Sequence, residues 1–307
     1  MIMIDLSIVI LNWNVRDLLD RCLASLHSER YGLEIIVVDN ASRDDSVAML
    51  RAKYPQVELI ANAVNRGFTG GNNQGIAVSR GRCVMVLNPD TVVLGDALDQ
   101  LVIYLDGHPD VGAIGPQLLN PDRSLQSSRR RFPTLATAFF ESTWLQGLAP
   151  KRILTHFYMD DVPASPAHEV DWLNGACTVF RRAVLDRVGV YDERNFFMYS
   201  EELDLCRRVK EAGWKIVYLP EAQVVHYVGQ SSKQAVAARH IHFQTSKVHY
   251  FRKWHGAWQA SVLRLFLLSQ YGWQIMLESA KGLLGSQREL RKQRVKVYWQ
   301  VVRTGLK

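Results

Sequence analysis

An α/β domain on a mixed, mostly parallel sheet flanked by helices, with a helical extension at its C-terminus, is the architecture predicted by the 307-residue sequence. Three observations predict it. From Ile4 to about Tyr104, short apolar runs alternate with helix-period stretches, the pattern of βαβ units. Two of those runs end on a lone carboxylate, Asp39 and Asp90, as strands do when they deliver polar groups to one edge of a parallel sheet. From Ala235 onward the strand pattern stops and the chain reads as helical, with breaks near Gly256, Gly272 and Gly285.

Taken in order, Leu6 to Leu11 is a first strand, and Leu18, Leu19, Cys22, Leu23 and Leu26 mark the buried face of the following helix. Glu34 to Val38 is a second strand ending on Asp39-Asn40. Ser42, with Asp45 three residues on, reads as the cap of a helix packed through Val47, Leu50 and Tyr54. Val57 to Ala61 is a third strand, Asn65 to Gly75 a glycine-rich loop running into a helix that ends near Gly81, and Cys83 to Leu87 a fourth strand. Pro109 to Pro133, rich in Gly, Pro, Asn and Arg, suggests loops and short strands between two halves. Asp171 to Arg181 reads as a strand, Arg182 to Val188 and Glu201 to Ala212 as helices stopped by glycine, and Lys215 to Leu219 and Ala222 to His226 as two closing strands. The expected organisation is therefore 1–110, 111–232 as the second half of the same domain, and 233–307.

The composition is that of a folded protein. The opening residues lack the basic region and cleavage site of a secretory signal, so they read as a first strand of a cytoplasmic protein. The four cysteines are widely spaced in apolar surroundings, which predicts buried reduced thiols. The net charge of +7 is concentrated at the end, where residues 239–307 hold 13 Lys and Arg against Glu278 and Glu289. The remainder is net acidic, which argues against nucleic acid as its partner.

Asp39 and Asp90 lie on one predicted edge. Asp39 suits a base or ribose, and Asp90 a hard cation, Mg²⁺ or Mn²⁺, which takes few protein carboxylates and completes its shell with phosphate and water. Asn-Pro-Asp-Thr is equally an ordinary turn sequence. Asn65 to Gly75 offers close backbone approach and a helix N-terminus to a phosphate, or is a flexible connection. Glu201 and Glu202 fall in a helix's first turn, where the dipole favours an ionised carboxylate able to act as a general base, although acids there also simply complement the dipole. Asp204, Arg207 and Arg208 read as a solvated face. Trp172, Asn174 and Gly175 combine a ring, an amide and a glycine suited to a sugar pocket, and His226 at a strand end is a candidate metal ligand or diphosphate contact. Arg129, Arg130 and Arg131 could clamp phosphate or form a solvated run.

Together, Ser7 to Asn14, Ile36 to Ser42, Asn65 to Phe68, Leu87 to Thr91, Trp172 to Ala176, Phe197 to Leu205 and His226 resemble glycosyltransferase family two, over residues 4 to about 232, and within it the bacterial rhamnosyltransferase-like branch. The resemblance implies the nucleotide-diphospho-sugar transferase fold called GT-A and an inverting, metal-dependent transfer to a saccharide or lipid-linked acceptor in cell-surface polysaccharide synthesis. It implies donor contacts at Asn12, Asn14, Asp39, Asn65, Gly67, Asn73 and Asn88, acceptor contacts at Trp172, Asn174 and Gly175, and a metal on Asp90, aided by His226. Glu202 stands where the family's base stands, with Glu201 beside it where the family usually has Glu followed by Asp. Asn88 replaces the first acid of the family's D-x-D motif. The donor expected from the branch is dTDP-rhamnose, with UDP-hexoses open. A sugar-nucleotide nucleotidyltransferase would want a glycine-rich basic loop where this chain has Leu11-Asn-Trp-Asn14, and a non-catalytic nucleotide-sugar binder is the other alternative. Trp254, Trp258, Trp273 and Trp299 amid Lys and Arg suggest peripheral attachment to an anionic membrane, or else a packing or homodimerising helix set.

Overall fold

The computed structural model describes residues 4–228, 236–285 and 287–307. The expected helix start at Ala235 and the boundary at 232/233 lie outside them. In chain order the elements are β1 (Leu6–Asn12), α1 (Arg16–Ala24), β2 (Leu33–Asp39), α2 (Ser46–Lys53), β3 (Glu58–Ala61), α3 (Gly67–Val78), β4 (Cys83–Leu87), β5 (Thr91–Val93), α4 (Ala97–Gly107), β6 (Val111–Leu119), β7 (Arg129–Arg130), α5 (Leu135–Phe140), α6 (Lys151–Tyr158), β8 (His168–Glu169), β9 (Trp172–Leu173), β10 (Cys177–Arg181), α7 (Arg182–Val188), α8 (Glu201–Glu211), β11 (Lys215–His226), α9 (Val236–Leu283) and α10 (Arg288–Thr304). Two compact units divide the described residues. One takes those of Met1–Phe132, Tyr158–Phe197 and Glu201–Ser231, the other those of Pro133–Phe157, Met198–Ser200 and Ser232–Lys307.

The first unit is a mixed sheet in the order β3-β2-β1-β4-β10-β6-β11-β5, with β8 beside β11. β1 through β4 run parallel, and β10 enters antiparallel between β4 and β6. Side chains alternate across the pleat into two cores. Leu6, Ile8, Ile10, Val37, Met85 and Leu87 pack beneath α1, α2 and α4, while Val9, Ile36, Val38, Val84, Val86 and Phe180 pack beneath α3, α7 and α8. A sheet covered on both faces is why its strands read as continuous apolar runs. All four cysteines are buried and free.

Several expectations are corrected. Asn65 to Gly75 is mostly helix: Gly71 and Gly75 face β1, where an added Cβ would come within 2.3 Å of Leu11 Cδ1 or 2.4 Å of Val9 Cγ1. These glycines bring α3 onto the sheet. Gly75→Ala therefore overpacks the core, and we expect about 1–3 kcal/mol lost in urea unfolding. Ser42 does not cap α2, which starts at Ser46; its hydroxyl instead accepts from the Asn14 backbone N–H. Val111–Leu119 is one buried nine-residue strand inside the region expected to be loops. Asp171 to Arg181 is broken into β9 and β10, whereas the two expected closing strands form one, β11, with an irregularity between Leu219 and Gln223. In the second unit α9 is interrupted at Gly256, with φ +87°, and runs helical through Gly272.

Candidate active site

The sheet's parallel strands end at one edge, and the candidate residues gather there in three groups. In the first, β1 and β2 pair Asn12 with Asp39. Asn12 Nδ2 donates to Asp39 Oδ2 at 2.8 Å, and the Ser42 backbone N–H donates to Asp39 Oδ1 at 2.9 Å. Asn14 Oδ1 accepts from the Arg43 backbone N–H at 2.7 Å. Asp39 is thus a buried carboxylate that folds the turn after β2 back over the end of β1, and the Asn12 Oδ1 oxygen is buried without a hydrogen-bond partner. Asn65 joins through Asn40, whose Nδ2 donates to Asn65 Oδ1 and to the Gly67 carbonyl, both at 3.0 Å.

The helix N-terminus expected to cradle phosphate spends its donors internally. The Gly67 N–H donates to Asn65 Oδ1, and those of Phe68 and Thr69 to the Phe197 carbonyl. Gly67, at φ +78°, is required here because a Cβ would meet Phe197 at 2.6 Å. Asn73 clasps the Tyr191 backbone, donating to its carbonyl at 2.9 Å and accepting its N–H at 3.1 Å.

The second group forms where β4 ends and β11 closes the sheet. Thr91 pairs with His226 across β5 and β11, and the Tyr227 N–H donates to the Asp90 carbonyl at 2.8 Å. This register sets Asp90 Oδ1 3.3 Å from His226 Nε2, both side chains buried. Gln126, which sequence reasoning missed, fixes the ring. Its Nε2 donates to Asn120 Oδ1 at 3.0 Å and the His226 carbonyl at 3.2 Å, which turns Oε1 to accept from His226 Nδ1–H at 2.8 Å. In its neutral form the ring so held presents its Nε2 lone pair to Asp90. Two acceptors face one another, an arrangement that a cation between them stabilises. Their spacing matches adjacent ligands of an octahedral ion at 2.0–2.1 Å, which lie about 3 Å apart. No cluster of three or more His, Cys, Asp or Glu that could hold a metal occurs among the described residues. The donor set fits a hard cation that takes its remaining ligands from phosphate and water.

The third group sits beside the second. The Asn88 N–H donates to the Ala176 carbonyl at 2.9 Å, fastening the end of β4 to the turn before β10. In that turn Asn174 Oδ1 accepts from the Ala176 N–H at 3.0 Å. Gly175 lies against Glu202: a Cβ there would be 3.6 Å from Glu202 Cβ, Cγ and Cδ. Trp172 donates through Nε1 to the Arg131 carbonyl and packs partly into the core.

Glu201 is buried and Glu202 half-buried, and each has an Oε2 shielded from solvent without a hydrogen-bond partner. Burial pushes Glu202 up to about 7, although its own and the Leu203 backbone N–H groups oppose it. Burial, then the neighbouring Glu202 charge, pushes Glu201 well above the ordinary carboxylate range. This runs against the expectation that the helix dipole favours an ionised carboxylate here, because desolvation outweighs a partial charge at the helix end. Fully buried Tyr191 stands near enough that both glutamates push its phenol further up.

Asp204 is buried rather than solvated, paired with Arg208 Nε at 3.0 Å, and Arg208 holds the Val188 and Val190 carbonyls. Arg129 is buried, donating to the Pro163 carbonyl at 2.7 Å, while Arg131 pairs with Asp161 at 2.7 Å. The three arginines are neither one clamp nor one solvated run.

Comparison with known proteins places this geometry. The family model described as Glycosyl transferase family 2 matches residues 7–189. The chain is 29% identical over 305 residues to an N-acetylglucosaminyl-diphospho-decaprenol L-rhamnosyltransferase of Mycobacterium tuberculosis, covering 95% of this chain and 97% of that one. It is 26% identical over 237 residues to Rhamnosyltransferase WbbL of Escherichia coli, covering 74% and 84% respectively. Among solved structures, the mannosyltransferase PcManGT of Pyrobaculum calidifontis, described in complex with GDP-Man and Mn²⁺, superposes with a TM-score of 0.57 at 14% identity over 99% of this chain and 87% of that one. GalNAc-T7 with UDP, GalNAc and Mn²⁺ gives the same TM-score over 81% of this chain and 50% of that one. The fold is GT-A, and with more than half its length matched by the family model the chain belongs to glycosyl transferase family 2 and is a nucleotide-sugar glycosyltransferase.

Proposed function

We propose that the chain transfers rhamnose, from dTDP-rhamnose, to a hydroxyl of a lipid-linked saccharide in cell-surface polysaccharide synthesis, with inversion at the anomeric carbon. The observation that carries this is the Asn88–Ala176 hydrogen bond. It ties the end of β4, two residues before Asp90, to the turn against which Glu202 packs, which supports a single site for a group able to hold a diphosphate's cation and a group able to take a proton. The names of the relatives support the sugar and the lipid-linked acceptor.

Glu202 accepts the proton of the acceptor hydroxyl, whose oxygen attacks the anomeric carbon as the bond to the nucleotide diphosphate breaks on the opposite face. A carboxylate with a pKa near 7 suits that step at neutral pH, because it is substantially ionised yet basic enough to drive the transfer. Asp90 and His226 would hold Mg²⁺ or Mn²⁺, which supplies charge stabilisation to the departing diphosphate. Asn12, Asn14, Asp39, Asn65, Gly67, Asn73 and Asn88 form the donor side, directly or by holding its backbone. Trp172, Asn174 and Gly175 form the acceptor side.

The test is incubation with dTDP-rhamnose and, in parallel, UDP-hexoses, on a prenyl-diphosphate-linked N-acetylhexosamine, with products read by mass. Rhamnosyl product is expected. Product from a UDP-hexose alone would reassign the donor, and no turnover of any donor would favour a nucleotide-sugar binder. We further expect Gln126→Leu to lower Mn²⁺ affinity about 10–100-fold, by freeing the ring that Gln126 orients. Electron paramagnetic resonance titration of Mn²⁺ in the presence of dTDP measures it, and unchanged affinity would remove the orienting role.

A further inference from the structure

In the second unit, α9 and α10 form an antiparallel pair whose inner face is well used. Tyr298 packs against His240 and Tyr271, and Glu278 takes Arg291 Nη1 at 2.6 Å. The outer face is not. A groove of about 760 Å³ runs between the last turns of α9 and the length of α10, lined by Leu283, Arg288, Lys292, Val295, Lys296 and Trp299 and continuing to Arg303, with the Glu278–Arg291 ion pair also in its lining and Glu278 neutralised by that pairing. On α10 these positions follow a three-to-four-residue spacing, so cations and apolar groups share one stripe. Leu283 and Leu284, at the corner between the helices, are 83% and 86% exposed, and Trp299 is 50% exposed. Arg288, Lys296 and Arg303 have no carboxylate partner among the described residues, and Lys292 meets only exposed Glu289, at 2.9 Å.

We propose that this face of α10 and the Leu283–Leu284 corner form the surface by which the protein lies on an anionic phospholipid bilayer. An unsatisfied row of cations requires negative charge from its partner. Exposed leucines and a tryptophan between those cations require an apolar layer within a few ångströms of that charge, and the headgroup boundary of a bilayer supplies both. A second copy does not fit, since a two-fold pairing through this face would set one cationic stripe against another. Nucleic acid would satisfy the cations and leave the leucines uncovered. No helix among the described residues is long and apolar enough to cross a membrane, so the contact is one of lying on the surface.

The experiment is co-sedimentation of the full chain at low salt with phosphatidylcholine vesicles, with and without phosphatidylglycerol. Binding is expected only where phosphatidylglycerol is present, and it should weaken as salt rises. Each basic residue near such a surface contributes about 1 kcal/mol, or about fivefold in affinity, so Lys292→Ala with Lys296→Ala should cost about 25-fold. Leu283→Ser with Leu284→Ser should weaken vesicle binding and leave binding to a single-stranded RNA unchanged. Quenching of tryptophan fluorescence by brominated lipid should fall in Trp299→Phe, a variant that keeps an aromatic ring in place. These positions are exposed, and unchanged thermal melts would confirm that the variants fold. Failure to sediment with phosphatidylglycerol vesicles would overturn the proposal. So would binding insensitive to the lysine pair, or RNA binding stronger than vesicle binding and indifferent to the leucines.

Discussion

Asp90→Ala is expected to lower transfer by about 10³-fold or more while the protein stays folded. The carboxylate is buried, and the contact it makes with His226 brings together two groups that need a cation more than they need each other. The backbone bond that aligns β5 with β11 uses the Asp90 carbonyl, which alanine retains. The loss should therefore appear in turnover and Mn²⁺ affinity, with little change in the unfolding midpoint. Asp90→Asn sharpens the test, because it keeps the volume and removes the charge. If charge at this position stabilises the leaving diphosphate, Asn should be nearly as damaging as Ala. Near wild-type turnover by Asp90→Ala with divalent metal removed would sink the metal role.

The positions of Asp39 at the end of β2 and of Asp90 in the turn after β4 were legible because each closes an apolar run that becomes a buried strand. The misreadings share a physical origin in packing between distant segments. Gly71 and Gly75 are four residues apart, the period of one helix face, and that spacing is the available signal that they serve close packing on β1. Val111–Leu119 reads as loop because it holds Gly112, Gly115 and Pro116. Yet Gly112 gives room to Trp214, and Gly115 to Leu173, partners about 100 and 60 residues away that no local pattern reveals. Gln126 was invisible for the same reason, since its meaning depends on His226, 100 residues on. The upward pull of burial on the glutamate pair is hidden from the sequence because helix position is visible there and depth of burial is not.

That pair gives the second large effect. Near neutral pH two buried carboxyl groups side by side hold at least one proton between them, so the pair titrates as a unit. Burial raises both, and because Glu201 is the more deeply buried of the two we expect it to hold the shared proton, with Glu202, raised to about 7, as the member that ionises near neutral pH. Glutamine at 201 then imitates the state Glu201 already occupies, whereas glutamine at 202 removes the base. We expect Glu202→Gln to lower kcat by about 10²–10⁴-fold and Glu201→Gln by far less. In wild type and Glu201→Gln, kcat/KM should rise with pH through about 7, and Glu202→Gln should lose that rise. Stability runs the opposite way. Both folded-state pKa values lie above the ordinary 4.5, so the native state binds more protons than the unfolded chain, and the pair's stability, fully present below pH 4.5, is lost as pH rises through about 7. Glu201→Gln should therefore be the more stable protein at pH 8, by about 1–3 kcal/mol in urea unfolding, with the advantage gone at pH 4. The reverse kinetic pattern, Glu201→Gln inactive and Glu202→Gln active, would move the base to Glu201. A loss of activity in both variants with no gain in stability at pH 8 would mean that the two carboxyl groups act as one proton-sharing unit in the native state, with neither serving alone.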